Sequence, residues 1–212
     1  MMARRMNRSI PWIGAVVVAL SATAAAAPPV AEQLIRRGID DALEVLRDPA
    51  SGQAGARAQR IARLRQVADR LFDWPEMSQR CLGPTWRTLD AAQRKRFAEV
   101  FPDVLASAYL DDLDKFRGDE RVTIERSTES GDHAEVHTIV VTHGGEHVPM
   151  VYWLHRVDSA WRVYDFSIEC VSLVNHYRES FSRFLVNHKF EELMERLEQK
   201  RPKPAGAAAM AR

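Results

Sequence analysis

The sequence predicts an α+β fold in which an antiparallel sheet of about four strands packs against helices. Apolar residues recur at helical spacing up to residue 109 and again after residue 171. Between these parts, residues 121–170 alternate between apolar and polar side chains and are interrupted by Gly- and Ser-containing turns. This order of elements is typical of an α+β domain, and a curved sheet against helices leaves a cleft in which ligands commonly bind.

The N-terminal segment has the three-part pattern of a secretory signal peptide, which we predict over residues 1–26. Three arginines precede an apolar run at residues 10–20, and small residues follow. The run is shorter than the roughly 20 residues of a membrane-spanning helix, although an uncleaved anchor is the alternative. We therefore expect an exported protein with one domain at 27–200 and a disordered tail at 201–212.

The charge of the mature chain is close to neutral. Removal of Arg4, Arg5 and Arg8 leaves 27 basic and 29 acidic residues, a formal charge of −2. This balance gives no reason to expect a nucleic-acid partner.

The first two predicted helices each carry an apolar stripe and are separated by a breaker at residues 48–52. The stripe of the first consists of Leu34, Ile35, Ile39, Leu43 and Leu46. The second helix covers about residues 56–72, and its stripe consists of Ile61, Leu64, Val67, Ala68, Leu71 and Phe72.

Capping residues indicate two further helices. Asp73 with Pro75 predicts the start of the third helix, and Gly83 its end. The fourth begins after Thr88, and Pro102 is expected to kink or restart it. Its inward side consists of Phe97, Val100, Phe101, Val104, Leu105 and Tyr109.

The strands are predicted at about residues 121–128, 133–143, 146–157 and 161–170. The Gly-Gly pair at 144–145 suits a two-residue type I′ hairpin. With that turn, Ile139 and Val141 would share a sheet face with four residues of the next strand. These four are Val148, Met150, Tyr152 and Leu154. Two amphipathic helices are predicted to follow, at 171–186 and 190–200.

The chain offers little evidence for metal binding or catalysis. Histidines stand at positions 133, 137, 143 and 147, but no acidic residue or Cys completes a four-ligand set at a recognised spacing. We therefore expect neither a metal nor a catalytic residue. Asp165, a single acid on a predicted strand, could be the general base of a small α+β enzyme, or it could cap or pair within the fold.

The two cysteines, Cys81 and Cys170, are far apart in the chain. An even number of cysteines in an exported protein favours a disulfide. Two free thiols are an equal alternative, because only the distance between them decides.

Six short segments occur in a characteristic order. They read Phe-Asp-Trp-Pro-Glu-Met at 72–77, Leu-Gly-Pro-Thr-Trp-Arg at 82–87, Gln-Arg-Lys-Arg-Phe at 93–97, Pro-Met-Val-Tyr-Trp-Leu at 149–154, Trp-Arg-Val-Tyr-Asp at 161–165, and Val-Ser-Leu-Val at 171–174. The last is followed by Tyr177, Arg178 and Phe181. Together they resemble the MlaC family of periplasmic phospholipid-binding proteins, which includes the toluene-tolerance proteins and serves as an ABC transporter auxiliary component.

The resemblance implies a sheet wrapped by helices around a deep apolar pocket. The pocket would take phospholipid acyl chains, and the protein would shuttle lipid through the periplasm between the outer and inner membranes to maintain lipid asymmetry. The implied partners are an inner-membrane MlaFEDB-type ABC transporter and an outer-membrane lipoprotein–porin complex. Phospholipid would be cargo, and no cofactor is implied. A hopanoid is an alternative cargo.

The candidate lipid-binding residues are apolar or aromatic and come from the fourth helix, the last strands and the helix after them. They are Phe101, Leu105, Tyr109, Met150, Tyr152, Leu154, Val163, Val171, Leu173, Val174 and Tyr177. Periodicity alone would make them ordinary core, because pocket and core have the same pattern in a sequence. Arg178 is the candidate headgroup contact, since a guanidinium donates two hydrogen bonds to phosphate; an ion pair with Glu179 is the alternative.

Overall fold

A computed structural model describes residues 29–48, 56–108 and 116–201. The predicted signal peptide, Tyr109 and the tail beyond Arg201 lie outside these ranges. The helices are α1 (Val30–Arg47), α2 (Ala56–Leu71), α3 (Trp74–Leu82), a 3₁₀ helix (Gly83–Thr88), α4 (Ala91–Ala108), α5 (Leu173–Leu185) and α6 (Phe190–Gln199). The strands are β1 (Arg121–Ser130), β2 (His133–Val141), β3 (His147–Val157), β4 (Ala160–Ile168) and β5 (Val171–Ser172).

The predicted helix starts at Asp73 and near Thr88 are confirmed, and capping explains them. The side chain of Asp73 accepts a hydrogen bond from the backbone N–H of Glu76 at 3.0 Å. Asp90 and Gln93 form a reciprocal capping box before α4, at 2.8 and 3.1 Å. α4 continues through Pro102, whose side chain is buried, so the helix does not restart there.

Helices α1 and α2 pack closely because Gly38 has no side chain. A Cβ atom at this position would lie 2.4 Å from a methyl carbon of Leu71. The glycine therefore sets how near the two helices approach, and any larger residue would push Leu71 aside.

The five strands form one open antiparallel meander in the order β1-β2-β3-β4-β5. The prediction of an α+β fold with a sheet of about four strands is confirmed, with β5 as a short fifth strand. Bulges interrupt the β1–β2 register after Ile124 and the β3–β4 register after Trp153. Bulges of this kind bend the strand that carries them and increase the local twist of the sheet.

The predicted two-residue hairpin between β2 and β3 is wrong. The N–H of Gly145 donates to the carbonyl of Thr142 at 2.9 Å, and the N–H of Thr142 donates to the carbonyl of Glu146 at 2.9 Å. Only Gly145 of the Gly-Gly pair has a positive φ, 80°. The loop therefore holds three residues, as in a type I turn followed by a left-handed glycine.

This extra loop residue shifts the pairing by one and reverses the predicted face. Val140 pairs with Val148, so Val140 rather than Val141 shares a face with Val148 and Met150. Because side chains alternate along a strand, a shift of one residue moves every side chain of β2 to the other face.

Two separate groups of buried side chains stabilise the fold. The helical core lies among α3, α4, α5 and α6, and its largest members include Phe97, Phe101 and Phe181. The sheet core lies between α1 and the sheet, and it includes Ile35, Val136, Leu154, Trp161 and Val163. Phe72, between α2 and α3, packs against both.

Candidate functional site

A cleft of about 850 Å³ lies where α2 and α4 face the sheet. Most of its wall is apolar. The apolar lining residues are Ala42, Ile61, Leu64, Ala68, Phe72, Trp74, Pro102, Leu105, Ala106, Phe116, Val140, Val148, Met150, Phe166 and Ile168. The volume is within the range of about 300–1,000 Å³ typical of small-molecule sites.

The sheet wall of the cleft follows directly from the observed register. Val140, Val148 and Met150 share one face of β2 and β3, and Met150 pairs with Ile168 of β4, which also lines the cleft. Next to this wall on the same face of β3, the hydroxyl of Tyr152 donates to the sulfur of Met150 at 3.8 Å. Burial raises the pKa of Tyr152 to about 12, so its side chain is neutral at physiological pH.

Aromatic rings close the end of the cleft that adjoins the helical core. Phe72 stacks on Trp74 with ring centroids 4.8 Å apart, and it meets Phe166 edge-on at 5.4 Å. All three rings line the cleft. Such pairs contribute stability beyond their buried area and hold a rigid apolar surface.

Polar side chains are confined to a few positions on the cleft wall. Arg65 pairs with Asp69 at 2.7 Å and with Asp103, and its guanidinium carbon lies 5.5 Å from the centre of the Trp74 ring. The carboxylate of Glu120 accepts two backbone N–H groups at 2.8 Å each. Burial alone would raise the pKa of Glu120, but these hydrogen bonds outweigh it and lower that pKa.

The structure distributes the twelve predicted lipid-binding residues among several environments. Leu105 and Met150 line the cleft. Leu154 and Val163 lie in the sheet core, with Tyr152 packed against it. Phe101, Leu173 and Val174 are buried in the helical core, with Tyr177 packed against it. Val171 is 54% exposed. Tyr109 lies outside the described residues.

Arg178 is also not among the residues of the cleft wall. Its Nε donates to the backbone carbonyl of Arg80 at 2.8 Å, which ties α5 to α3. Sequence reasoning missed Phe72, Trp74, Val148 and Phe166 as lining residues. The aromatic pair that brackets Asp73 was the available signal, because two large rings at a helix boundary need an apolar surface nearby.

Asp165 caps a helix in this structure. Its carboxylate accepts the hydroxyl of Ser172 at 2.6 Å and the N–H of Val174 at 3.1 Å, at the start of α5. Burial raises the pKa of Asp165, and the two hydrogen bonds oppose that rise. The contacts match the capping role that the sequence left open, and the carboxylate does not line the cleft.

The sequence left two equal alternatives for Cys81 and Cys170, a disulfide and two free thiols. Both thiols are free. Cys81 is fully buried in the helical core, whereas Cys170 is exposed in the turn between β4 and β5. Burial raises the pKa of Cys81 well above its ordinary value, which makes this thiol unreactive.

The predicted strand histidines make local polar contacts. His143 lies 2.8 Å from a carboxylate oxygen of Asp119, and His137 contacts Glu135 and Arg126. Within the described ranges, no group of three or more His, Cys, Asp or Glu residues could hold a metal ion. No helix in the described part of the chain is both long and apolar enough to cross a membrane.

The family model for MlaC protein matches residues 36–199. The chain belongs to the MlaC family. The match covers every described helix and strand beyond the first turns of α1, including all residues of the cleft wall. The family resemblance seen in the six sequence segments is therefore confirmed.

A solved structure has the same fold. It is the phospholipid-binding protein from Ralstonia solanacearum in complex with a phospholipid, with 21% sequence identity and a TM-score of 0.71. The superposition covers 80% of this chain and 96% of that one. A de novo designed protein with a curved β-sheet covers 30% of this chain at a TM-score of 0.25, which is too low to support an argument. No curated protein matches at a significant level.

Proposed function

We propose that this protein is a periplasmic carrier that binds the acyl chains of phospholipid in the cleft and shuttles lipid between the outer and inner membranes. The observation that carries the proposal is the cleft itself, with its mostly apolar wall and volume of about 850 Å³. Membership of the MlaC family and the fold shared with a phospholipid-bound protein support it.

The physical chemistry of the cargo requires such a site. Each methylene moved out of water contributes about 0.8 kcal/mol, so ten buried methylenes contribute about 8 kcal/mol. A lipid cannot cross an aqueous compartment with its chains exposed at that cost. The cleft offers apolar side chains from both layers, and the lipid needs no chemical change to be carried. We therefore infer a binding protein rather than an enzyme.

The headgroup would lie at the polar positions of the cleft wall. Arg65 is the guanidinium among the described lining residues, while Glu146 and Glu169 lie where the strands end. Arg178 does not line the cleft, so we assign the headgroup environment to this part of the wall instead. A carrier that must release its cargo needs only weak contact there, and we expect several phospholipid classes to bind.

The family supplies proposals for the docking partners and the compartment. An inner-membrane MlaFEDB-type ABC transporter and an outer-membrane lipoprotein–porin complex would exchange lipid with this carrier. The Arg-containing and apolar segment at residues 1–26 supports export to the periplasm. A hopanoid remains a second possible cargo, since a rigid apolar ring system would also fit an apolar wall.

Native mass spectrometry of the protein purified without detergent tests the proposal. We expect an adduct with the mass of one phospholipid, identified by solvent extraction of the same sample. A hopanoid mass would replace the proposed cargo. Repeated absence of any lipid from a folded protein, together with failure to bind added phospholipid, would contradict the carrier function.

Two variants of α4 test whether the lipid binds in the cleft. Ala106→Trp fills the cleft beside Leu105, whereas Ala92→Trp places the same side chain on an exposed part of α4. Loss of room for two methylenes corresponds to roughly tenfold weaker binding at about 0.8 kcal/mol each. We expect that loss in Ala106→Trp alone. Equal lipid retention by both variants would remove the cleft as the site.

A further inference from the structure

A second concave surface lies at the C-terminal end of α4, between α5 and α6. This C-terminal groove has a volume of about 780 Å³ and shares no lining residue with the cleft. Its floor is formed by Val104, Phe181, Leu193 and Leu197, which belong to the helical core. The proposed carrier function does not use this groove.

The rim of the C-terminal groove is positively charged. Arg183, Arg196 and Lys200 are all exposed there, and Glu179 is the acidic residue of the described lining. Among the described residues, none of the three cations has an ion-pair partner. The guanidinium of Arg196 instead lies 5.5 Å from the centre of the Phe184 ring, so it remains available to an anion.

Some arginines elsewhere on the helical surface are paired. Arg63 pairs with Asp48 at 2.6 Å, and Arg70 pairs with Asp41 at 2.7 Å. Several unpaired cations around an apolar floor attract a negatively charged partner and orient it as it approaches. A cationic patch that served only as solvated surface would not require an apolar floor beneath it.

We propose that the C-terminal groove is a docking site for an acidic amphipathic helix of a protein partner. A helix with its side chains is about 10–12 Å across and convex, so it can reach a floor that lies below the cations. Its apolar stripe would contact the floor through positions i, i+3, i+4 and i+7, and its acidic flanks would meet Arg183, Arg196 and Lys200. A flat bilayer would meet the cations without reaching the floor.

Docking at this groove would leave the cleft open. The two sites have separate linings, so a partner could hold the carrier while lipid enters or leaves the cleft. The docking site is therefore independent of whether phospholipid is the cargo. Variants of the groove should retain as much lipid as the wild-type protein.

A synthetic peptide provides a defined probe. It is a fluorescent, acetylated helix of about 18 residues with leucine at every i, i+3, i+4 and i+7 position and glutamate elsewhere. We expect saturable binding by fluorescence anisotropy that weakens as salt is raised. A twin peptide with lysine in place of glutamate should bind at least about tenfold more weakly, since like charges repel at the rim.

Charge reversal in the protein tests the assignment of the groove. The triple variant Arg183→Glu, Arg196→Glu, Lys200→Glu should bind the acidic peptide at least about tenfold more weakly, with its bound lipid unchanged and its far-UV circular dichroism that of a folded protein. The matched control is Arg87→Glu, Lys95→Glu, Arg121→Glu, because these cations are exposed outside the groove. The control should bind as the wild-type protein does.

Three results would overturn the proposal. One is no binding of the acidic peptide; another is equal loss in the triple variant and the control. The third is binding of phosphatidylglycerol vesicles, but not of the peptide, through the same three cations, which would make the surface a membrane contact. If the peptide binds as proposed, its hydrogen-exchange protection falls on α5 and α6 and not on α1 and α2.

Discussion

The helical core and the cleft lie against different sides of one helix. On α4, Phe101 is fully buried and meets Tyr177 edge-on at 5.1 Å, while Pro102 and Ala106 line the cleft. The residue types do not distinguish the two sides. The difference is what lies opposite: α5 and α6 fill the space beside Phe101, whereas the sheet remains apart from Ala106. An apolar helix face therefore becomes core or binding site according to its neighbour.

The largest expected effect is the difference in alkylation rate between Cys81, which is buried in the helical core, and Cys170, which is exposed. Cys170 is exposed and Cys81 is fully buried, so Cys81 reacts only when the helical core opens. For a domain stable by at least about 5 kcal/mol, the rates differ by at least about a thousandfold. Timed alkylation of the native protein with mass spectrometry measures this ratio. Similar rates for both thiols, with Cys170 not oxidised, would mean that the helical core is not closed.

The same substitution, phenylalanine to alanine, at Phe97 and at Phe166 compares the helical core with the cleft wall. Phe97 is fully buried and stacks on Phe101 at 5.4 Å, so Phe97→Ala should lower the free energy of unfolding by about 3–5 kcal/mol. Phe166 lies on the cleft wall and is partly exposed, so Phe166→Ala should cost about 1–2 kcal/mol but reduce bound lipid. Urea unfolding and lipid extraction measure both effects. The reverse ranking would contradict the assignment of core and cleft.

Leu173→Trp tests a residue that the sequence analysis placed in the pocket. Leu173 is buried in the helical core, where an added ring should cost about 1–3 kcal/mol through overpacking. Lipid bound per folded molecule should stay unchanged, because Leu173 does not line the cleft. A fall in bound lipid with no change in stability would instead return Leu173 to the binding site.

Asp165 gives the smallest expected effect, a difference in the pH dependence of stability. Because burial raises the pKa of Asp165 in the folded state, the native protein favours its protonated form. The stabilisation that results from protonated Asp165 is fully present below the pKa of Asp in the unfolded chain, which is about 3.9. It is lost as pH rises through the higher folded pKa. Relative to Asp165→Asn, the wild-type protein should therefore lose unfolding free energy as pH rises.

Urea unfolding of both proteins at several pH values from acidic to neutral checks this prediction. The side chain of asparagine can still accept the N–H of Val174, so capping is largely retained in the variant. A constant difference between the two curves would mean that Asp165 does not titrate with a raised pKa. Catalytic turnover that disappears in Asp165→Asn would revive the enzyme alternative.

Much of the fold could be predicted because it depends on neighbours in the chain. Asp73 starts α3 by accepting the N–H of Glu76, three residues away, and periodicity identifies each amphipathic helix. The family was also recognisable from short segments, since their order is preserved along the chain. The register of β2 and β3 was not predictable in the same way. It depends on whether the loop at 142–146 uses two residues or three, and a Gly-Gly pair accommodates both.

By itself, the sequence determined the element order, the helix caps, the apolar stripes of the helices and the family. Only the tertiary structure decided which apolar faces pack together, because the sequence of one helix or strand does not give its distance from the element opposite. That distance places Phe72, Trp74 and Phe166 on a cleft and Leu173 in a filled core. It also leaves Cys81 and Cys170 unbonded. A side chain is buried only when a second surface packs against it, and a local stretch of sequence specifies only the first of these two surfaces.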